Sequence, residues 1–293
     1  MAFPVRNCVP VLAFAAGLLF AASAPAAAAE YDLRSGGNVT INGGLFYTDE
    51  QHPTGTGFID SFLRIQQNGW EQGYNTSARP VEDTVQVKVD PNFTRNLTLA
   101  EVGTKTIGGV LYREFFLDVN EPAGAGNKNW ITLDQLEIYG SNMADLNQYC
   151  GGTANTGSGD LGSQASGNPT CGTSVNNYNN DATKLYDLDT GTNNFVQLDY
   201  LLKGNGSGSS DMSFYLRDSL FTGYGYVYLF SQFGDLSLNK YNNLYESQAG
   251  FEEWFTKSPT IPPPNINAIP EPATLVLLGS GLALSWRFRR RTA

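Results

Sequence analysis

The chain's only histidine, His52, stands in "DEQHPTGTG", a polar turn ahead of a proline. Catalysis of the Ser-His-Asp or Cys-His kind would have to use that one imidazole, and a solvated loop residue accounts for it. Adjacent acids are more plentiful, at Glu82-Asp83 and Glu252-Glu253. Paired carboxyls hydrolyse glycosides when they stand about 5–9 Å apart across a cleft. Neighbours on a strand point to opposite faces, so each pair is expected to diverge. The body is therefore expected to be non-enzymatic.

Two segments have the look of cation sites. "DLDTGTNN", Asp187 to Asn194, sets carboxylates at alternate positions with a glycine, which makes Asp187, Asp189 and Asn193 calcium candidates. It lacks the remaining ligand spacing and the closing glutamate of an EF-hand, and a plain turn is the competing reading. "DVNEP", Asp118 to Pro122, is a similar candidate. Calcium is the one cofactor these patterns suggest. Tyr226, Tyr228 and Phe230 form an aromatic row that either stacks on sugars or is buried between sheets.

Cys150 and Cys171 are the cysteines outside the N-terminal segment, and an even pair in an exported chain predicts a disulfide. The enclosed "GGTANTGSGDLGSQASGNPT" is polar and glycine-rich, so closing it restricts the unfolded chain by about 3 kcal/mol. No histidine lies near, and the spacing does not suit zinc.

The elements that must carry these residues read as strands. Aromatics make up 12% of the chain and charged residues 16%, and 32 glycines supply turns. "TVQVKV" puts Val85, Val87 and Val89 on one face. "VLYREFFLDV" aligns Leu111, Phe115, Leu117 and Val119, interrupted by Arg113. In "WITLDQLEIYG", Ile131 and Leu133 are out of phase with Leu136 and Ile138, which predicts a bulge near Asp134 and Gln135. "VQLDYLL", "GNGSGSS" and "DMSFYLR" read as a hairpin with Val196, Leu198, Tyr200, Leu202, Met212, Phe214 and Leu216 inward. "YGYVYLFSQFG" is apolar on both faces, as a central strand is. Asn42-Gly43 marks a tight hairpin turn.

The two ends read differently. Arg6, the apolar run from Val9 to Ala22 and the small residues before Glu30 predict a signal peptide over 1–29. A β-sandwich domain is expected over 30–257, with two packed antiparallel sheets. A proline-rich spacer follows over 258–269, and a tail over 270–293. Removing Arg6, the four terminal arginines and Glu271 takes the formal charge from −10 to −14. So acidic a body repels nucleic acid and anionic lipid.

In the tail, Pro270, Glu271 and Pro272 precede an uncharged run from Ala273 to Trp286. Fourteen helical residues reach about 21 Å, short of a bilayer core of about 30 Å. Arg287, Arg289, Arg290 and Arg291 follow, favouring the cytoplasmic side. This order resembles the PEP-CTERM sorting signal of Gram-negative bacteria. The resemblance implies one short C-terminal transmembrane helix, held transiently in the inner membrane. It implies cleavage near Pro-Glu-Pro by an exosortase and delivery to the cell surface or extracellular matrix, often beside exopolysaccharide. "YREFFLDVNEP", "DMSFYLRDSLF" and "GFEEW" also resemble bodies that recur ahead of such tails. "ITLDQLEIY" is similar to a strand of lectin-like jelly rolls. The expectation is an exported structural or adhesive protein; the alternative is a lectin-like carbohydrate-binding module, possible with calcium.

Overall fold

A computed structural model describes residues 28–50, 59–78, 90, 92–124, 126–151, 159–162, 182–203, 210–234, 244–248 and 250–257. Strands fill most of them. One sheet, sheet A, runs β1 (Ala29–Asp32), β13 (Asn194–Asp199), β9 (Trp130–Ser141), β15 (Tyr226–Phe233), β5 (Glu71–Tyr74). β12 (Ala182–Asp187) also pairs with β9, and β6 (Leu97–Thr98) with β15. The other, sheet B, runs β2 (Asn38–Ile41), β3 (Gly44–Tyr47), β14 (Met212–Arg217), β8 (Val110–Asp118), β16 (Glu252–Lys257), β4 (Ile59–Ile65). β7 (Thr104–Ile107) pairs with β8, while β10 (Gln148–Gly151) and β11 (Gly159–Gly162) form a separate hairpin.

The period-two pattern explains the core. Phe115, Leu117 and Val119 from β8 and its end, with Met212, Phe214 and Leu216 from β14, face Ile131, Leu133, Val196 and Leu198 of sheet A. On β9 the phase change is resolved by a bulge. Gln135 pairs with Gln232 and Leu133 with Phe233, leaving Asp134 as the extra residue. Ile131, Leu133, Leu136 and Ile138 all join one core as a result. The β2–β3 turn has Asn42 at φ 50° and Gly43 at φ 87°, the two left-handed positions a tight hairpin demands.

Three expectations are corrected. Val196–Leu198 and Met212–Leu216 face the same core but do not pair: β13 bonds to β1 and β9, and β14 to β3 and β8. The intervening glycine-rich stretch is long enough to cross between sheets, so alternation gave the faces and not the partner. Leu111 is 44% exposed, because the β7–β8 turn carries it past the end of the core. Its phase-mate Arg113 binds Asp218 at 2.6 Å instead. Finally, β1 pairs with β13 in parallel, so sheet A is not wholly antiparallel. Val85, Val87 and Val89 lie outside the described residues.

Trp254 of β16 joins the two layers. Its indole is fully buried, and its Nε1–H donates to Ser231 Oγ of β15 at 3.0 Å. Trp254→Ala is expected to cost about 3–5 kcal/mol in urea unfolding, and Trp254→Phe clearly less. Equal small losses would show that the indole does not hold the layers.

Candidate functional site

Carboxylates gather where the sandwich is driest. Glu252 opens β16 in phase with the core residue Trp254, and Glu71 opens β5 opposite the core residue Phe233. Both side chains point between the sheets, and both residues are fully buried. Glu121, 3% exposed, arrives from the chain after β8. Its two oxygens accept the Gln248 backbone N–H at 3.1 and 3.0 Å. The Gln67 N–H donates to Glu71 Oε2 at 2.5 Å.

Burial pushes all three carboxyls above the usual range, Glu121 to about 8. For Glu252 the charge of Glu71 adds to burial, while the Asn120 backbone opposes it. The adjacent acid diverges as strand geometry requires. Glu253 turns to the opposite face, where it accepts from Ser61 and lies 3.4 Å from Arg64.

Glu137 of β9 is a second buried acid, on the outer face of sheet A. It accepts from Gln135 Nε2 at 2.9 Å, Tyr149 OH at 3.0 Å, Lys184 Nζ at 3.3 Å and Tyr139 OH. Burial raises it to about 7, with Lys184 pulling the other way. Around it lie Tyr74, Tyr139, Leu146, Tyr149, Tyr228 and Phe230. Tyr228 and Phe230 of the aromatic row are thus buried and Tyr226 half-buried, though not between the sheets. Tyr149 of β10 stacks on Phe230 at 4.1 Å, covering the outer face. A third acid, Asp211, accepts the Val119 N–H at 2.8 Å, and burial beside Asp118 raises it to about 8.

The Asp187–Asn194 segment closes on itself. Asp187 Oδ1 accepts the Asp189 N–H at 2.8 Å, and Asp187 Oδ2 lies 3.2 Å from Lys184 Nζ. Asp189 Oδ1 accepts the Asn194 N–H at 2.8 Å. These contacts are those of a turn whose acids hold backbone amides. The carbonyl of Asn193 accepts the Ala29 N–H at 2.8 Å, fastening β1. Among the described residues, no three His, Cys, Asp or Glu side chains are gathered as a finished metal-ligand set. Cys150 lies on β10 opposite Asp160, while Cys171, His52, Glu82 and Asp83 lie outside the described residues.

Pro270, Glu271, Pro272 and the terminal arginines also lie outside them, and sequence comparison speaks for that end. Residues 268–291 match the PEP-CTERM protein-sorting motif. The chain carries a PEP-CTERM sorting motif. The matched span holds Pro270-Glu271-Pro272, the uncharged run, and Arg287, Arg289, Arg290 and Arg291. The motif marks an exported protein, anchored transiently in a membrane and processed by an exosortase. No curated protein and no solved structure matches the chain. Among the described residues, no helix is long and apolar enough to cross a membrane.

Sequence reasoning singled out Glu252 and the "DVNEP" segment containing Glu121, but not Glu71, Glu137 or Asp211. The available signal was an acid placed in phase with core residues, as Glu252 is with Trp254.

Two outcomes follow from these contacts. Asp189→Ala removes the acceptor for Asn194 and is expected to cost about 1 kcal/mol, equally in calcium and in chelator. A loss confined to calcium-containing buffer would show that the loop binds the ion. Glu121, Glu137 and Asp211 hold protons in the folded state up to about 8, 7 and 8, against ordinary values of 4.5, 4.5 and 3.8. Between those limits the folded state binds more protons than the unfolded one, so stability falls as pH rises. Each group contributes a slope of about 1.4 kcal/mol per pH unit while it does so. The urea midpoint in chelator should be higher at pH 5 than at pH 8; the reverse order would contradict the buried-acid assignment.

Proposed function

We propose that this protein is a non-enzymatic component of the cell surface or extracellular matrix, with a structural or adhesive role beside exopolysaccharide. The observation that carries the proposal is the sorting motif over residues 268–291. An N-terminal signal peptide over 1–29 would export the chain. The short uncharged run would then hold the tail in the inner membrane until an exosortase cuts near Pro270-Glu271-Pro272.

The character of the body supports this role. Glu252 and Glu253 diverge, and Glu71 and Glu252 are fully enclosed, so neither of these two stands where a substrate could meet it. Its acidic charge suits a soluble exported domain and not a nucleic-acid partner. Of the three residues that would have stacked on sugars, Tyr228 and Phe230 are buried, Phe230 beneath Tyr149, and Tyr226 is half-buried. The lectin-like alternative therefore gains no support from that row.

Intact mass spectrometry of the surface fraction tests the sorting step. The expected species begins near Glu30 and lacks everything after about Pro270. Substituting Pro270→Ala, Glu271→Gln and Pro272→Ala together should leave a full-length tail in the inner membrane. A surface species that keeps Arg287–Arg291 would refute the proposal.

A further inference from the structure

We propose that the β7–β8 turn and the short helical turn Asp218–Phe221 form a membrane-facing tip, which rests on the lipid surface while the C-terminal tail is still anchored. The inference depends on the sorting motif, since a transient anchor is what brings this end of the body to a bilayer.

The strand register fixes which end that is. β14 fills one edge of β8 from Tyr112 to Leu117, so β16 and β7 share the other. β16 takes Phe116 to Asp118, and β7 takes Val110 to Arg113. β16 runs antiparallel to β8, so the chain leaves Lys257 heading for the β7–β8 turn. Lys257 Nζ already reaches Glu114 Oε2 at 2.8 Å. The twelve residues 258–269 span at most about 40 Å. A tail anchored beyond them keeps this end of the sandwich close to the membrane.

The end so placed is apolar. Val110, Leu111 and Leu220 are 36%, 44% and 42% exposed. Leu111 lies two residues from Arg113 and Leu220 two from Asp218, and the Arg113–Asp218 bond at 2.6 Å draws the two leucines to one surface. Arg113 Nη1 also donates to the carbonyls of Leu99 and Val102 at 2.9 and 2.8 Å, and Phe221 is buried beside Phe115. The leucines therefore project from a braced base. Charge agrees with this placement. Residues 102–113 and 217–225 carry Lys105, Arg113 and Arg217 against Asp218 alone, in a chain of net charge −10. These stretches lack the acidic excess with which the body repels lipid.

So small an apolar surface binds a bilayer weakly, because strength scales with the area buried. A short tether compensates by holding the surface at an effective concentration of about millimolar. Cutting the tail removes the tether, and the tip then lets go. One cleavage thus frees the body from both contacts.

The test places the full-length chain in nanodiscs of phosphatidylcholine and phosphatidylethanolamine. Hydrogen exchange is compared with that of the Leu111→Glu/Leu220→Glu variant; if that variant does not fold, Leu220→Glu alone serves in its place. Amides of residues 108–111 and 219–224 should exchange about threefold more slowly in the wild type. Those around Leu201, at the opposite end of sheet A, should exchange at equal rates in both chains. Equal exchange at the tip, with the tail still held in the disc, overturns the proposal and leaves the sorting step standing. A chain that does not enter the disc overturns both. Slowing that appears only when a membrane protease shares the disc overturns the lipid contact in favour of a protein one.

Discussion

The apolar layer between the two sheets is the constraint on which the rest of this protein depends. Strands that are neighbours in sequence are rarely neighbours in space. Among the described strands only β2–β3, β7–β8 and β10–β11 pair in succession. Turn geometry therefore fixes little of the topology. What holds β13 to one sheet and β14 to the other is the shared burial of Val196, Leu198, Met212, Phe214 and Leu216. The bulge at Asp134 exists for the same reason. Without it, half of β9 would present Leu136 and Ile138 to the wrong face.

That dry layer also gives the acids their character. A glutamate on an exposed strand end titrates near its ordinary value, but Glu71 and Glu252 enter the layer in phase with Phe233 and Trp254. Burial then disfavours charge on both; Glu71 makes ionisation of Glu252 harder still, while the hydrogen bond from Glu252 works against the rise at Glu71. Glu137 shows the contrast. It is as deeply buried, but Gln135, Tyr139, Tyr149 and Lys184 all donate to it. One acid site is met by side-chain donors, and the other by backbone amides and by its own carboxyls.

The body and the tail follow different logics. The tail acts as a linear address, and its message depends on order: Pro-Glu-Pro, an uncharged run, then arginines. A linear signal needs no fold to be read, which is why residues 268–291 were recognisable in the sequence as it stands. The body has no such shorthand. Its chemistry lies in residues far apart in the chain, such as Glu71, Glu121 and Glu252, whose proximity no local spacing encodes.

The sequence by itself determined the β class, the inward faces of β9, β13 and β14, the Asn42-Gly43 turn, the bulge in β9 and the sorting motif. All of these depend on residues within a few positions of one another, where period-two burial and backbone sterics act directly. Tertiary structure decided the pairing of β13 and β14, the parallel edge at β1 and the cover that Tyr149 gives Phe230. It also decided that Glu252 and Glu253, adjacent in the chain, serve opposite faces, one among buried acids and the other beside Arg64. Such outcomes depend on which distant surface fills the remaining space, and that is a property of the packed whole.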